Sequence, residues 1–273
     1  MEICKLKLKS PVVLITLGMM ACLACSHVTR AQEIIPAERR TQWDPGIPGG
    51  IPEIAGPVEN ILDHGADPAG VHDSWQAIAD ALDALPPEGG VVFIPRGTYR
   101  VVSGISVGRD SVVFRGEGWD SKLLIEHPGN SIEVITYQRG SWQLLPEGAA
   151  KGSSAVTVED GSAFTPGEFA EIEQENDSLL MYTDEQWIQP WSENAVGQIF
   201  RVKSVDGNQV TFESPVHLDF SNGLNARIRP QGLVSRVGFE DLYVEKTVAD
   251  GSTFSFKNTA YCWVRNVESY HTR

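Results

Sequence analysis

The chain has 273 residues, of which 41% are apolar, and a formal net charge of −14. That length predicts one or two domains, and the acidic balance argues against a nucleic-acid partner, because phosphate binding needs a basic surface. A polyanionic ligand would need a local basic groove or a bridging cation. The simpler interpretation of the charge is an exported protein with a solvated acidic surface.

Residues 1–31 have the features of a secretory signal peptide. Lys5, Lys7 and Lys9 precede an apolar run from 11 to 25 that is short for a membrane span, and small residues at 29 and 31 fit a cleavage site. Cleavage would remove four basic residues and one acidic residue, which changes the net charge from −14 to −17. We therefore expect a secreted or periplasmic protein without a membrane span.

The cysteines allow a second interpretation of this segment. Cys22 or Cys25 would carry a lipid anchor if the signal is that of an outer-surface lipoprotein, although neither has the usual leucine three residues earlier. Cys262 is the one cysteine after residue 31, so the mature chain can form no internal disulfide. We interpret Cys262 as a small buried hydrophobe rather than as a catalytic thiol.

A linker rich in proline and glycine follows, from 32 to 57. Its composition predicts a partly disordered tether that buries no core. The folded domain is expected to begin at residue 58.

An amphipathic helix is predicted after Asp73. Asp73 and Gln76 have the spacing of a capping box, and Pro86-Pro87 ends the helix because proline supplies no helical amide. The apolar face of this helix comprises Trp75, Ile78, Ala79, Leu82 and Leu85.

Short apolar runs succeed one another after the helix. The run 91–94 is apolar throughout, as in a strand buried on both faces, and Gly97 permits a sharp turn after it. Further runs cover 100–102, 105–107, 111–114, 123–125 and 132–135. No gap between them is long enough for a crossover helix, so the pattern favours strands coiled into a solenoid over a doubly wound α/β sheet.

From 141 to 226 the pattern changes to that of an inserted antiparallel β-module. Strands are predicted at 155–158, 169–172, 199–205 and 209–212, and Asp206-Gly207-Asn208 is a hairpin signal between the last two. Tyr182, Trp187 and Trp191 lie close together in this part.

The solenoid pattern then returns with a period of 25 residues. Residues 237–244 and 262–269 align so that Phe239 matches Val264, Asp241 matches Asn266 and Leu242 matches Val267. We expect the Asp/Asn position to lie at a turn and to stack on its neighbour in the next coil. Because no capping pattern follows, we expect the chain to be the N-terminal part of a longer protein or a gene fragment.

Over residues 58 to 126 the chain resembles the pectate-lyase-like family that includes the rhamnogalacturonases. The matching positions are Asp63, Gly65, Ala66, Gly70, Asp73, Ala77, Ile78, Gly89, Gly90, Val92, Pro95, Gly97, Thr98, Tyr99, Gly116, Glu117 and Gly118. The resemblance implies an all-β fold, a right-handed parallel β-helix with an N-terminal capping helix, into which the β-module is inserted. His72 stands where the family often has a second Asp, which weakens the hypothesis of a carboxylate pair or a metal site at this position.

The same resemblance implies chemistry on uronic-acid-containing, pectin-like polysaccharides. A glycoside hydrolase of this kind needs two carboxylates, whereas a polysaccharide lyase needs a base and a cation such as Ca²⁺ on the uronate. Neither constellation is visible in the sequence, and no metal ligand set or other cofactor is evident. The alternatives are a non-catalytic polysaccharide-binding or adhesion β-helix and an inactive fragment of a longer enzyme. We expect a monomer.

Six residues remain as site candidates. Glu240, Asp241, His271 and Arg273 would line one wall of a groove beside the returning coils, unless they are ordinary edge and turn residues. Trp187 and Trp191 would stack on sugar rings, unless they fix the module onto the β-helix.

Overall fold

A computed structural model describes residues 46–179, 181, 184, 186, 189–248 and 250–271, together with Pro36 and Arg40. The elements all belong to the second of two compact units, Trp43–Arg273. The predicted signal peptide, with Cys22 and Cys25, lies outside the described residues. No helix in the described ranges has the length and apolar character needed to cross a bilayer.

The N-terminal part of the unit consists of two short strands and one α-helix. These are β1 (Val58–Asn60), β2 (Ala69–Asp73) and α1 (Trp75–Ala84). The helix ends before Pro86 as predicted and buries Ile78 and Leu82 against the β-helix core. Its cap differs from the prediction.

Ser74, not Asp73, is the N-cap residue of α1. The Asp73 carboxylate accepts hydrogen bonds from the backbone N–H groups of Trp75 and Val102, so it joins the helix start to the next coil. Gln76 donates to Asp80 instead of closing a capping box. The carboxylate of Asp73 thus binds the first helical N–H as predicted, but the predicted capping box is wrong because Asp73 ends a strand that pairs with the following coil, a contact outside the local pattern.

Two complete coils follow, each with three strands. The first contains β3 (Gly90–Phe93), β4 (Gly97–Val101) and β5 (Ile105–Val107); the second contains β6 (Val112–Arg115), β7 (Ser121–Ile125) and β8 (Ile132–Ile135). After the inserted module come β15 (Val234–Ser235), β16 (Gly238–Lys246), β17 (Phe254–Lys257), β18 (Thr259–Ala260) and β19 (Trp263–Tyr270).

The strands of successive coils pair in parallel and form three sheets, and β15 and β18 form a further short parallel pair. Sheet 1 contains β1, β3, β6 and the first halves of β16 and β19; sheet 2 contains β2, β4, β7 and the second halves of β16 and β19; sheet 3 contains β5, β8 and β17. The register places Phe239 beside Val264 and Leu242 beside Val267. The predicted parallel β-helix and its 25-residue repeat are therefore confirmed.

The β-helix core consists of side chains stacked in columns along the coil axis. On sheet 1, Val92, Phe114 and Phe239 are paired in register, and the rings of Phe114 and Phe239 stack with centroids 5.2 Å apart. All three side chains are buried. Such columns explain why each strand carries apolar residues at alternate positions even though it is only a few residues long.

The inserted module is an antiparallel sheet with its own core. Its strands are β9 (Gln143–Leu144), β10 (Ala155–Thr157), β11 (Phe169–Gln174), β12 (Val196–Asp206), β13 (Gln209–Phe212) and β14 (Arg227–Gln231), in the order β10-β13-β12-β11-β14-β9. The hairpin at Gly207-Asn208 is as predicted, with Gly207 at a positive φ. Strand β14 lies beyond the predicted end at 226 and pairs with β11.

Residues 46–57, which we call the strap, pack on the outer face of sheet 1. Ile47 and Ile54 contact the cluster formed by Val91, Val113 and Trp263. The Arg115 guanidinium donates a hydrogen bond to the carbonyl oxygen of Ile54, 3.0 Å away. This part of the linker therefore does bury apolar side chains, contrary to the sequence-based prediction, because an outward apolar patch of the β-helix is available to it.

Candidate functional site

The inserted module and the β-helix enclose a polar groove where they meet, which we call the junction groove. It consists of two adjoining cavities of about 250 and 280 Å³. Glu168 and Phe169, at the start of β11, line both cavities. Ligand sites in proteins typically enclose about 300–1,000 Å³, so the two cavities together have the size of a binding site.

The β-helix side of the groove is a corner where successive coils stack. Ser111, Arg236 and Tyr261 occupy equivalent positions just before sheet 1, and all three have φ values between 57° and 59°. The Ser111 N–H donates to the Ser235 carbonyl, and the Arg236 N–H donates to that of Ala260. Coil stacking thus holds Arg236 and Tyr261 at fixed positions on the groove wall.

The module side is formed by the start of β11 and the middle of β12, which pair there. Phe169 lies opposite Arg201 in the register, and its ring is 6.1 Å from that of Tyr261, centroid to centroid. The Arg201 guanidinium donates to the Gly167 carbonyl and lies 3.4 Å from the Glu213 carboxylate. An aromatic pair therefore joins the module to the β-helix, with charged groups on both sides.

Two carboxylates line the groove, and the structure gives them different surroundings. Both oxygens of Asp110 accept hydrogen bonds from Ser235, one from its N–H and one from its hydroxyl. Glu168 is exposed. Asp110 therefore stabilises the corner, and Glu168 is free to interact with a ligand.

Sequence reasoning did not identify this site. Its residues come from separate coils and from the module, so no local motif unites them. One signal was present: the 25-residue repeat that aligns Asp241 with Asn266 also aligns Arg236 with Tyr261. That alignment predicts that both residues lie at one corner.

Glu240 lies on the outer face of sheet 1 and is fully buried. It accepts hydrogen bonds from the Trp263 indole at 2.8 Å and the Arg115 guanidinium at 2.9 Å, and Arg265 lies 3.0 Å away. Burial by itself would raise the pKa of Glu240, but the hydrogen bonds from Trp263 and Arg115 and the charges of both arginines lower it below the ordinary value. Glu240 is enclosed in an ion-pair network and lines no groove.

The other candidates on the returning coils lie at bends. Asp241 and Asn266 have positive φ within β16 and β19, where each strand passes from sheet 1 to sheet 2, and the Asn266 amide donates to the Asp241 carboxylate, which confirms the predicted stacking of this position. His271 is exposed, with its Nδ1 3.4 Å from the Glu245 carboxylate on sheet 2. Glu240 lies in sheet 1, whereas His271 follows β19 and lies beside Glu245 of sheet 2, so the two form no common site. Arg273 lies outside the described residues.

Trp191 and Cys262 have contrasting environments. Trp191 is 85% exposed in a short 3₁₀-helix, Pro190–Ser192, and so does not fix the module onto the β-helix. Trp187 lies outside the described residues. Cys262 packs against the β-helix core, and burial raises the pKa of its thiol, as expected for a structural cysteine. The described part of the chain contains no group of three or more His, Cys, Asp or Glu residues arranged to hold a metal ion.

Comparison with known families confirms the resemblance seen in the sequence. Residues 58–138 match the family model described as rhamnogalacturonase A/epimerase, pectate lyase-like. The match begins at β1 and covers the capping helix and the first two coils. No curated protein matches the chain.

Three solved phage tailspikes share the fold. Gp61 of Pseudomonas phage phi297 has 15% identity and a TM-score of 0.59, over 78% of this chain and 38% of the tailspike. Gp49 of Pseudomonas phage LKA1 has 20% identity and a TM-score of 0.52, over 76% of this chain and 41% of the tailspike. The Gp54 tailspike of Acinetobacter baumannii bacteriophage AP22 was solved in complex with A. baumannii capsular saccharide. It has 15% identity and a TM-score of 0.52, over 78% of this chain and 36% of the tailspike. The chain thus spans about two fifths of each tailspike.

Proposed function

We propose that this chain is an exported, carbohydrate-active β-helix protein that acts on a polysaccharide containing uronic acid, and that the junction groove is its binding site. The groove carries the proposal. It is open and polar, it has an aromatic pair at its centre, and it is formed by two cavities side by side, as a polymeric ligand requires. The similar AP22 tailspike, solved with a capsular saccharide, supports polysaccharide as the ligand class.

The reaction we propose is cleavage, by hydrolysis or by β-elimination, in the whole protein of which this groove is part. Hydrolysis needs two carboxylates, one of them a general acid. Elimination needs a base and a cation that neutralises the uronate, for which Ca²⁺ is the natural choice.

Binding without cleavage is the second candidate, and one observation favours it. Both oxygens of Asp110 are engaged by Ser235, so the groove has one unengaged carboxylate, Glu168, where hydrolysis needs two. An adhesion or recognition role requires only that the groove binds the polysaccharide, without a pair of catalytic carboxylates.

A polysaccharide screen separates these functions. The chain is incubated with acidic and neutral polysaccharides, with and without Ca²⁺, and the products are assayed for new reducing ends and for the absorbance of unsaturated uronates. Retention is measured in parallel by affinity electrophoresis. We expect retention on an acidic polysaccharide; unsaturated products would identify a lyase, and reducing ends alone a hydrolase. Retention with no product would establish the binding role, and absence of retention on every polysaccharide would refute the proposal.

Export and a monomeric state are parts of the same proposal. N-terminal sequencing of the exported protein is expected to begin at or near Gln32, whereas a lipid-modified Cys22 or Cys25 would establish the lipoprotein alternative. Sedimentation velocity on the purified chain is expected to give a single monomeric species.

A further inference from the structure

The described arginines differ in whether they have partners. Arg96, Arg100, Arg115, Arg201, Arg227, Arg229 and Arg265 form ion pairs with carboxylates. Arg109 donates to carbonyls at the end of α1, and Arg40 also has a partner. Within the described ranges, Arg139 and Arg236 have neither an ion pair nor a side-chain hydrogen bond. Both are exposed, and both line the junction groove, one in each cavity.

Two arginines without an ion pair are unusual in a chain whose net charge is −14. Among the described arginines, one with neither an ion pair nor a side-chain hydrogen bond is the exception, and the two exceptions lie at one site. The groove is lined by Arg139, Arg201 and Arg236 and by Asp110 and Glu168, and Arg201 is paired with Glu213. The groove therefore lacks the acidic excess of the chain as a whole, and the guanidinium groups of Arg139 and Arg236 are available to a polyanionic ligand.

The backbone fixes the positions of both arginines. Arg236 lies in the stacked corner, where its N–H donates to the carbonyl of Ala260 in the next coil. Arg139 forms an isolated antiparallel bridge with Gln231, at the end of β14. Fixed anchor points of this kind reduce the entropy lost when a guanidinium binds a carboxylate, and the planar guanidinium can donate two parallel hydrogen bonds to it.

We infer that Arg139 and Arg236 are the carboxylate-binding residues of two neighbouring sugar subsites, separated by Glu168 and Phe169. This inference rests on the proposed function and names the ligand class: a polysaccharide with carboxylates on at least two of its sugar residues. Phe169 supplies an apolar surface between the subsites. The Glu168 carboxylate lies between them and opposes acidic ligands by charge repulsion.

The test is titration calorimetry of the chain with oligogalacturonate, a polymer of uronic acid. Arg139→Gln and Arg236→Gln are each expected to weaken binding about tenfold, and the double variant about a hundredfold, since a hydrogen bond to a charged group contributes about 1.5–3 kcal/mol. Glu168→Gln is expected to strengthen binding several-fold. Arg236→Lys should recover part of the loss, because it restores the charge without the bidentate geometry.

Arg96→Gln is the matched control. Arg96 is exposed like the two groove arginines but lies away from the groove, beside Asp120. Unchanged affinity in Arg139→Gln and Arg236→Gln, or an equal loss in Arg96→Gln, would overturn the inference while leaving the proposed function intact. A wild-type chain that binds no polysaccharide would instead refute the proposed function and the inference with it.

Discussion

Glu240 illustrates at the scale of one residue how a carboxylate that looks chemically interesting can be structural. Its partners Arg115 and Arg265 lie in the coils on either side, so the ion pairs connect three successive strands of sheet 1. Glu240 and Arg115 are adjacent in the sheet but 125 positions apart in the chain. The 25-residue repeat aligns Glu240 with Arg265, but nothing local in the sequence could reveal the pairing of Glu240 with Arg115 across the inserted module.

The charge of Glu240 should make stability depend on pH. Its pKa is lower in the folded chain than the value of about 4.3 in an unfolded one. The stabilisation is therefore complete above about pH 4.3 and is lost as the pH falls through the folded-state pKa. Glu240→Gln should lower the unfolding free energy by about 2 kcal/mol at pH 7, and this difference from wild type should shrink below pH 4.

Urea unfolding at pH 7 and at pH 3 measures this effect. Glu88→Gln is the control, because Glu88 is exposed and has no ion pair or side-chain hydrogen bond within the described residues. A difference between wild type and Glu240→Gln that stays the same at both pH values would contradict the assignment of a buried, ionised Glu240.

Trp191 permits a clean separation of stability from binding. Because its side chain is 85% exposed, Trp191→Ala should change the unfolding free energy by less than about 0.5 kcal/mol. If the indole stacks on sugar rings, the same variant should be retained less by the polysaccharide that the wild-type chain binds. Affinity electrophoresis together with a urea melt measures both quantities. Retention equal to that of the wild type would remove Trp191 from the proposed site.

At the scale of elements, the β-helix depends on close approach between coils. Gly116 follows β6, and a Cβ at this position would clash with the backbone carbonyl of Asp241 in the next coil. Its own N–H donates to the Glu240 carbonyl, so the two backbones are in direct contact there. In the sequence, Gly116 is one of the positions that match the pectate-lyase-like family; the structure shows that the position requires the absence of a side chain.

Gly116→Ala should therefore be strongly destabilising. We expect a loss of at least about 3 kcal/mol in unfolding free energy, because the obstacle is backbone that cannot move without separating two coils. Gly223→Ala is the matched control: it also lies outside the positive-φ region, and its Cβ would meet only the Ser221 hydroxyl at 3.5 Å. Chemical denaturation of both variants tests the claim, and equal stabilities would contradict it.

Elements that depend on residues close in the sequence were easier to predict than elements that depend on distant parts of the chain. Strands such as β5 and β8, the hairpin between β12 and β13, and the end of α1 were predicted within a residue or two, because alternation, turn residues and prolines act locally. The strap and strand β14 were missed. Both depend on a surface supplied by distant parts of the chain: the outer face of sheet 1 for the strap, and β11 for β14.

At the scale of the whole molecule, the insertion creates the proposed site. The module enters after β8 and leaves before β15, so both of its connections pass the same corner of the β-helix. The groove lies between that corner and the start of β11, where β11 pairs with the middle of β12. Sequence patterns predicted the module and the solenoid separately, but a site formed by their contact has no linear signature.

The central claim is that the junction groove binds a polysaccharide by contacting the carboxylates of the polysaccharide. It is tested most directly by titrating the wild-type chain with oligogalacturonate and with the same oligomer after complete methyl esterification, which removes the charge but keeps the sugar rings. We predict binding of the acidic oligomer that weakens with added salt, and a loss of at least about tenfold in affinity for the ester. Equal affinity for the two oligomers, or binding of the ester alone, would contradict the account.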